Sequence, residues 1–428
     1  MGNKANRQLH TPGGLADMLP VSCQRKRAVE QAISTVFESY GYAFVSSPSL
    51  EYLEVFEGKG SISTAQIYKL VDKNGDVIAL RPDMTPAIAR MAVRHNLIVK
   101  GHPLRLCYIE KTFRDHERLQ GRENEITQAG AELMGHSSAE ADAEMIALAV
   151  QAFISAGLRN FRLDIGQVDF LPGILAEMEE ALRSDEKQEF MDHMINRDYV
   201  AAEQLIAKSN TPAAALLSDL TCLTGSINVL KHAQAIVSKP QAKAALRHLE
   251  EVYAILQDQG IGEHILLDLS MTGQLDYYTG IIFKGYAKGS GATVVDGGRY
   301  DRMLAEFDSG GHSGRSIPAV GFGIKIDGLL EALNAQKVDF GGKSAHMLLS
   351  YSKNARASAL SIADKMRKKG MRIENCLQSG DIQAQKAYAI QKKLDCIFYF
   401  AEENTVLLID LKTGTEQKMT AEELMLKC

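Results

Sequence analysis

An α+β protein is what the sequence predicts: antiparallel strands flanked by helices, a helix-rich insertion, and a small α/β domain at the C-terminal end. Three observations lead there. Asn74-Gly75 separates apolar runs at 67–71 and 77–80, and two residues that tolerate positive φ between such runs mark a tight hairpin. A second antiparallel pair is expected where the apolar run 104–109 enters a long charged loop, 113–125, and alternation resumes at 126–133. Beyond a Gly341-Gly342 linker the pattern becomes strand–helix alternation, with a strand at 347–349, a helix at 355–368 stopped by Gly370, another helix, and strands at 396–400 and 405–409.

Composition bounds the rest. At 428 residues the chain exceeds one ordinary core, so two or three domains are expected. A net charge of -5 gives no electrostatic reason to expect a nucleic-acid partner. Cys23, Cys107, Cys222, Cys376, Cys396 and Cys428 contain no Cys-x-x-Cys pair, which fits reduced thiols in a cytoplasmic protein better than a disulfide frame or a zinc site. No apolar run is long enough to span a bilayer, and no metal or cofactor is expected.

Taken in order, a turn-rich lead-in at 11–20 precedes a helix in which Val29, Ile33, Val36, Phe37 and Tyr40 recur at helical spacing before Gly41. An extended segment at 45–53 is broken by Pro48. The second hairpin strand delivers Arg81-Pro82-Asp83-Met84-Thr85-Pro86 into a helix beginning near Ala87. Asp83 and Thr85 stand where capping residues are expected, and Asp83 equally suits a ligand's ammonium group. Arg114, at the end of a strand, has the fork that matches carboxylate or phosphate. Gln128, Gly130 and Glu132 share one face of the returning strand, where polar side chains need partners and a ligand-facing side supplies them. An amphipathic helix at 140–156 follows Ser137-Ser138, then a strand at 161–165 and helices from 170 to about 259, with breaks at Pro212 and Pro240. Lys231, Lys239, Lys243 and Arg247 there read as a solvated face. The most distinctive stretch is Gly273-Gln274-Leu275-Asp276-Tyr277-Tyr278-Thr279-Gly280, a strand at 281–286, a glycine-rich turn, and Asp296-Gly297-Gly298-Arg299-Tyr300-Asp301. Its glycines admit close backbone approach, and its tyrosines offer flat walls and hydroxyls to a small polar molecule; a hairpin with core tyrosines fits the same spacing.

Thr11-Pro12-Gly13-Gly14, Leu80-Arg81-Pro82-Asp83-Met84-Thr85, Phe113-Arg114, Gln120-Gly121-Arg122, Leu275-Asp276-Tyr277-Tyr278-Thr279-Gly280, Gly297-Gly298-Arg299-Tyr300-Asp301 and Ala319-Val320-Gly321-Phe322-Gly323-Ile324 occur in the order found in histidyl-tRNA synthetases. The resemblance spans about 11–330. It implies the class II aminoacyl-tRNA synthetase fold, a core at 1–335 with its insertion at about 170–260, a linker at 336–344, and a C-terminal domain at 345–428. Residues 411–417 resemble the end of a synthetase anticodon-binding domain, here a degenerate one. It further implies a self-dimer, and a histidine and adenylate pocket lined by Asp83, Thr85, Arg114, Gln128, Glu132, Tyr277 and Tyr278.

Departures from that family point to a different function. The synthetases carry an arginine and a glycine before Leu-Asp-Tyr-Tyr; here Gly273 and Gln274 stand there. Their third motif ends in an arginine that holds the γ-phosphate; here that position is Gly328, and Lys325 lies on a different phase of the expected helix. Losing two charge-assisted phosphate bonds weakens nucleotide engagement by roughly a hundredfold to ten-thousandfold. A histidine pocket that no longer makes adenylate resembles the regulatory subunits of ATP phosphoribosyltransferase, which act in the first step of L-histidine biosynthesis. That resemblance implies a non-catalytic chain without tRNA, required by a short-form catalytic subunit, joined to it in a hetero-octamer, and taking part in feedback inhibition by histidine. A histidyl-tRNA synthetase and a free-standing histidine sensor are the competing readings.

Overall fold

Val29, Ile33 and Phe37 form the buried stripe of the first helix, α1 (Pro20–Ser39), whose leading proline loses nothing at a first turn and whose end is marked by Gly41 at φ 80°. The structure is a computed structural model that describes residues 9–57, 62–116, 123–178, 182–207, 209, 211–218, 223–273, 278–307, 316–338, 346–377 and 381–427. It divides into two compact units, Met1–Phe340 and Gly341–Cys428.

After α1 come β1 (Ala43–Phe44), β2 (Leu50–Tyr52), β3 (Lys69–Val71) and β4 (Val77–Leu80). β2, β4 and β3 form a small antiparallel sheet, and Gly75 turns its hairpin at φ 90°, as the Asn-Gly pair predicts. The chain continues through α2 (Thr85–Arg94), β5 (Leu104–Phe113), β6 (Glu125–Met134), α3 (Ala139–Ser155) and β7 (Phe161–Gln167). The insertion follows as α4 (Phe170–Leu175), α5 (Ser184–Asn196), α6 (Tyr199–Ile206), α7 (Pro212–Ser218), β8 (Thr224–Gly225), α8 (Asn228–Ile236) and α9 (Pro240–Asp258), with Pro212 and Pro240 starting helices where the breaks are predicted. Lys231, Lys243 and Arg247 are exposed there. β9 (Ile265–Asp268), β10 (Ile281–Ala287), β11 (Val295–Arg299), β12 (Ala319–Lys325) and α10 (Ile326–Ala335) complete the unit.

Its nine-stranded sheet runs β1-β5-β6-β12-β11-β10-β7-β9-β8. The central pairs are antiparallel; β1 with β5 and β7 with β9 are parallel. Period-two alternation assigns each residue a face. Cys107, Ala129, Ala131, Leu133, Val320, Phe322, Ile324, Phe283 and Ile165 point into the main core with α1, α3 and α9. α3 departs from the amphipathic expectation. It is buried nearly all round, from Ala139 to Phe153, because it lies against the sheet, α1 and α9 together. The opposite face carries Tyr108, Gln128, Gly130, Glu132, Gly321, Gly323, Asp296 and Gly298, with α2 packed over one end through Met84, Ile88, Ala89 and Ala92.

The second unit is β13 (His346–Tyr351), α11 (Arg356–Lys368), β14 (Arg372–Asn375), α12 (Ile382–Gln391), β15 (Cys396–Glu402), β16 (Thr405–Asp410), β17 (Glu416–Thr420) and α13 (Ala421–Lys427). Its sheet order is β14-β13-β15-β16-β17, the first three parallel and the rest antiparallel. The two edge strands escape the sequence reading because they are short and polar, with one buried residue each, Ile373 and Met419.

Candidate functional site

The open face of the large sheet has a glycine floor. A side chain at Gly321 would collide with the Glu132 carboxylate, one at Gly323 with the Gln128 amide, and one at Gly130 with the Tyr108 hydroxyl. Glycine on these strands therefore leaves the room in which long polar side chains lie across the sheet.

Glu132 is fully buried at the centre. Its Oε1 accepts from Thr85 Oγ1 at 2.8 Å, and its Oε2 accepts from the Tyr300 hydroxyl. Burial pushes its carboxyl up to about 8; the Tyr300 and Thr85 hydrogen bonds oppose the rise, and the neighbouring Asp83 charge adds to it. Burial beside the same carboxylate raises the Tyr108 and Tyr300 phenols well above their ordinary value, so both remain hydroxyls. Asp83 Oδ1 accepts from the Met84 amide at 2.8 Å and from Gln128 Nε2 at 3.3 Å. Among the described residues, Gln128 Oε1 and the Tyr108 hydroxyl are buried without a hydrogen-bond partner. Orphaned buried polar atoms are rare in folded proteins, and two in one pocket mark the place of a ligand's polar groups.

The sequence-predicted residues separate accordingly. Asp83, Thr85, Gln128 and Glu132 come together. Tyr278 joins them by laying its ring against Gly298 on the same face. Tyr277 lies outside the described residues. Arg114 sits just beyond β5 and donates from Nε to the Pro82 carbonyl at 2.8 Å, which fixes it to the loop that carries Asp83. The capping expectation for Asp83 and Thr85 is corrected: the cap position falls on Met84, which has no side-chain acceptor, and Thr85 is already the first helical residue, its hydroxyl donating to Glu132.

Two pocket residues escaped the sequence reading. Tyr300 follows Gly298 by two positions on the same side, and Tyr108 is the cross-strand partner of Gly130. The signal for both is phase, which becomes usable only once the strand pairing is known. Arg81, by contrast, is a buttress. Fully buried, it donates to the Ser47 and Lys111 carbonyls and to Glu110, and so fixes the end of β4 that leads into Asp83.

The departures also have a geometry. Lys325 is the last residue of β12, not a helix residue as the sequence suggests. Its ammonium donates to Asp296 Oδ2 at 2.6 Å and Thr293 Oγ1 at 2.8 Å. Burial of Asp296 opposes its ionisation, but the Lys325 charge and these hydrogen bonds hold its carboxyl below the usual range. A lysine committed in this way is no substitute for the arginine missing at Gly328, where α10 presents no side chain. Among the described residues no His, Cys, Asp and Glu cluster is fit to hold a metal ion, and no helix is long and apolar enough to cross a membrane.

Known proteins align with this arrangement. The family model for histidyl-tRNA synthetase matches residues 14–329. The ATP phosphoribosyltransferase regulatory subunit of Acetivibrio thermocellus is 35% identical over 422 residues, covering 98% of this chain and 99% of the relative. That of Bacillus subtilis is 35% identical over 371 residues, 85% of this chain and 90% of the relative. A crystal structure from Bacillus halodurans, described as an ATP phosphoribosyltransferase regulatory subunit/histidyl-tRNA synthetase, superposes with a TM-score of 0.77 at 28% identity, over 92% of this chain and 97% of the other. Histidyl-tRNA synthetase from Nostoc shares the fold with a TM-score of 0.81 at 21% identity, over 98% of this chain and 99% of the other. The mixed sheet with its helices is thus the class II synthetase-like fold, and the chain belongs to the family of ATP phosphoribosyltransferase regulatory subunits.

Proposed function

We propose that this chain is a histidine-binding, non-catalytic regulatory subunit that a short-form ATP phosphoribosyltransferase catalytic subunit requires for activity, and that histidine bound to it inhibits the assembly. The observation that carries the reading is the contrast within one face of the sheet. The amino-acid end keeps Asp83, Thr85, Gln128 and Glu132 as a converging polar set. At the nucleotide end Gly273 and Gly328 supply no cation, and Lys325 is tied to Asp296. Asp83 and Gln128 suit an ammonium group, Glu132 with its two hydroxyl partners suits an imidazole N–H, and Tyr278, against Gly298 on the same face, supplies a flat wall. Adenylate formation needs fixed countercharges on the transferring groups, so synthetase activity is expected to be absent. Inhibition follows if histidine binds one state of the assembly more tightly than the other. The family resemblance supports a self-dimer within a hetero-octamer, a cytoplasmic location and a C-terminal unit, 345–428, that derives from an anticodon-binding domain without serving tRNA.

Purified catalytic subunit is expected to form phosphoribosyl-ATP from ATP and phosphoribosyl pyrophosphate only after this chain is added, with the rate falling as histidine is titrated. Asp83→Ala is expected to weaken histidine binding by about tenfold or more in calorimetry while the dimer persists. An unchanged histidine affinity would mean that the pocket is misplaced. Histidine-dependent ATP–pyrophosphate exchange without any activation of the partner would favour the synthetase.

A further inference from the structure

Away from the amino-acid pocket, the same sheet face continues across β10, β7 and β9 into an open, solvent-facing polar cleft, walled on its far side by the junction of α5 and α6. Lys284, half-buried on β10, projects into it; among the described residues it has no ion-pair or hydrogen-bond partner. The charges around it are engaged elsewhere. Asp296, its cross-strand neighbour, is held by Lys325, and Asp164, its neighbour on the other side, is held by both arms of the Arg162 fork at 2.8 and 3.3 Å. Arg197, at the C-terminal end of α5, supplies a second cation. Its backbone is left-handed at φ 59°, which fixes the direction in which its side chain leaves the junction, and Tyr286 lines the cleft with it. Asp268 supplies one acceptor: its Oδ1 takes bonds from Thr224 Oγ1 and from the Ser270 amide and hydroxyl, at 3.3, 2.9 and 2.6 Å. Its other oxygen accepts none of these.

We propose that this cleft binds a phosphorylated sugar, with the phosphate against the Lys284 ammonium and the Arg197 guanidinium and a sugar hydroxyl donating to the second carboxylate oxygen of Asp268. A half-buried ammonium without a direct ion-pair partner is unfavourable: burial depresses the Lys284 pKa although the Asp296 and Asp268 charges oppose the shift, and a phosphate dianion beside it reverses that penalty. Two cations that converge from separate elements, one on a rigid strand and one on a fixed junction, suit a phosphate's several oxygens better than a single carboxylate. Asp268 discriminates in the other direction, since a carboxylate repels a bare anion and welcomes a hydroxyl donor. Tyr199 and Tyr286 add flat walls of the kind that pack against a sugar ring. None of the cleft's residues belongs to the amino-acid pocket, so the inference stands independently of the histidine reading.

Calorimetry on the full-length protein with ribose 5-phosphate and with inorganic phosphate tests it. The ester is expected to bind more tightly than phosphate alone. Lys284→Ala and Arg197→Asn are each expected to weaken the ester by about tenfold or more, asparagine being chosen because it tolerates the left-handed backbone. Lys284→Arg is expected to retain binding. The thermal unfolding midpoints of all three variants are expected to match the parent protein, which reports an intact fold whether or not histidine binds. Absence of ester binding, equal affinity for phosphate and ester, or an unchanged affinity in Lys284→Ala would each overturn the proposal.

Discussion

Glu132→Gln is expected to weaken histidine binding by about tenfold or more above pH 8 and to flatten its dependence on pH. Glutamine keeps the shape of the side chain, an oxygen for one of the Thr85 and Tyr300 hydroxyls and an N–H that the other can accept, so the pocket survives while the charge is lost. In the empty pocket burial lifts the Glu132 carboxyl to about 8, and the group is protonated at neutral pH. A ligand that donates an N–H to the carboxylate must first displace that proton. Affinity in the parent protein therefore climbs about tenfold for each pH unit approaching 8 from below, then levels off. Histidine's own titration is common to both proteins, so the difference between them isolates Glu132. Calorimetry at pH 7 in buffers of different ionisation enthalpy should find close to one more proton released per histidine bound by the parent than by the variant. Identical proton release would remove Glu132 from the binding step. The sign of the stability effect is also fixed. A carboxyl whose folded pKa lies above its ordinary value of 4.5 contributes stability that is full below 4.5 and lost as pH rises towards about 8. The ligand-free parent should lose thermal stability across that window more steeply than the variant, and saturating histidine should narrow the gap.

Why the pocket was partly legible beforehand follows from which signals are local. The Asn74-Gly75 turn, the alternation of Gln128, Gly130 and Glu132, and the helix starts at Pro212 and Pro240 are written in a few consecutive residues, and each occupies its expected place. Tyr300 and Tyr108 were not readable in that way, because their role depends on register across β5, β6, β12 and β11, which no single stretch encodes. Thr85 illustrates a side chain whose use depends on tertiary neighbours. It stands one residue past the cap position, which Met84 holds, and its hydroxyl donates to the buried Glu132 carboxylate. The same holds for α3, whose alanine-rich polar-flanked sequence looks half-exposed until its neighbours on every side are known.

The arginine of Gly297-Gly298-Arg299 is a further case, and it carries the largest expected loss of stability. In sequence it closes a glycine turn beside the tyrosines; in the fold it leaves the pocket altogether. Its Nε and Nη2 donate to Asp142 on α3, at 3.0 and 2.6 Å, and its Nη1 donates to Asp301 at 3.1 Å. Asp142 is fully buried and also lies 3.0 Å from His248 Nε2 on α9. One carboxylate thus joins β11 to α3 and to the insertion. Burial disfavours the Arg299 charge, but Asp142 and Asp301 more than offset it and hold the guanidinium above its ordinary pKa. Asp142→Ala removes the acceptor and leaves the cation buried with only the Asp301 side of its fork satisfied. A buried pair broken on one side costs about 3–5 kcal/mol, which lowers the unfolding midpoint by roughly 4–7 °C in a unit of this size. Replacing both partners, as Asp142→Leu with Arg299→Met, should recover much of the loss, because desolvation of two charges is then removed together with their attraction. A double-mutant cycle by chemical denaturation would measure that coupling directly. If Asp142→Ala unfolded within 1 kcal/mol of the parent, the network would be no more than a surface-grade ion pair, and the anchoring of β11 would have to come from the apolar contacts of α3 alone.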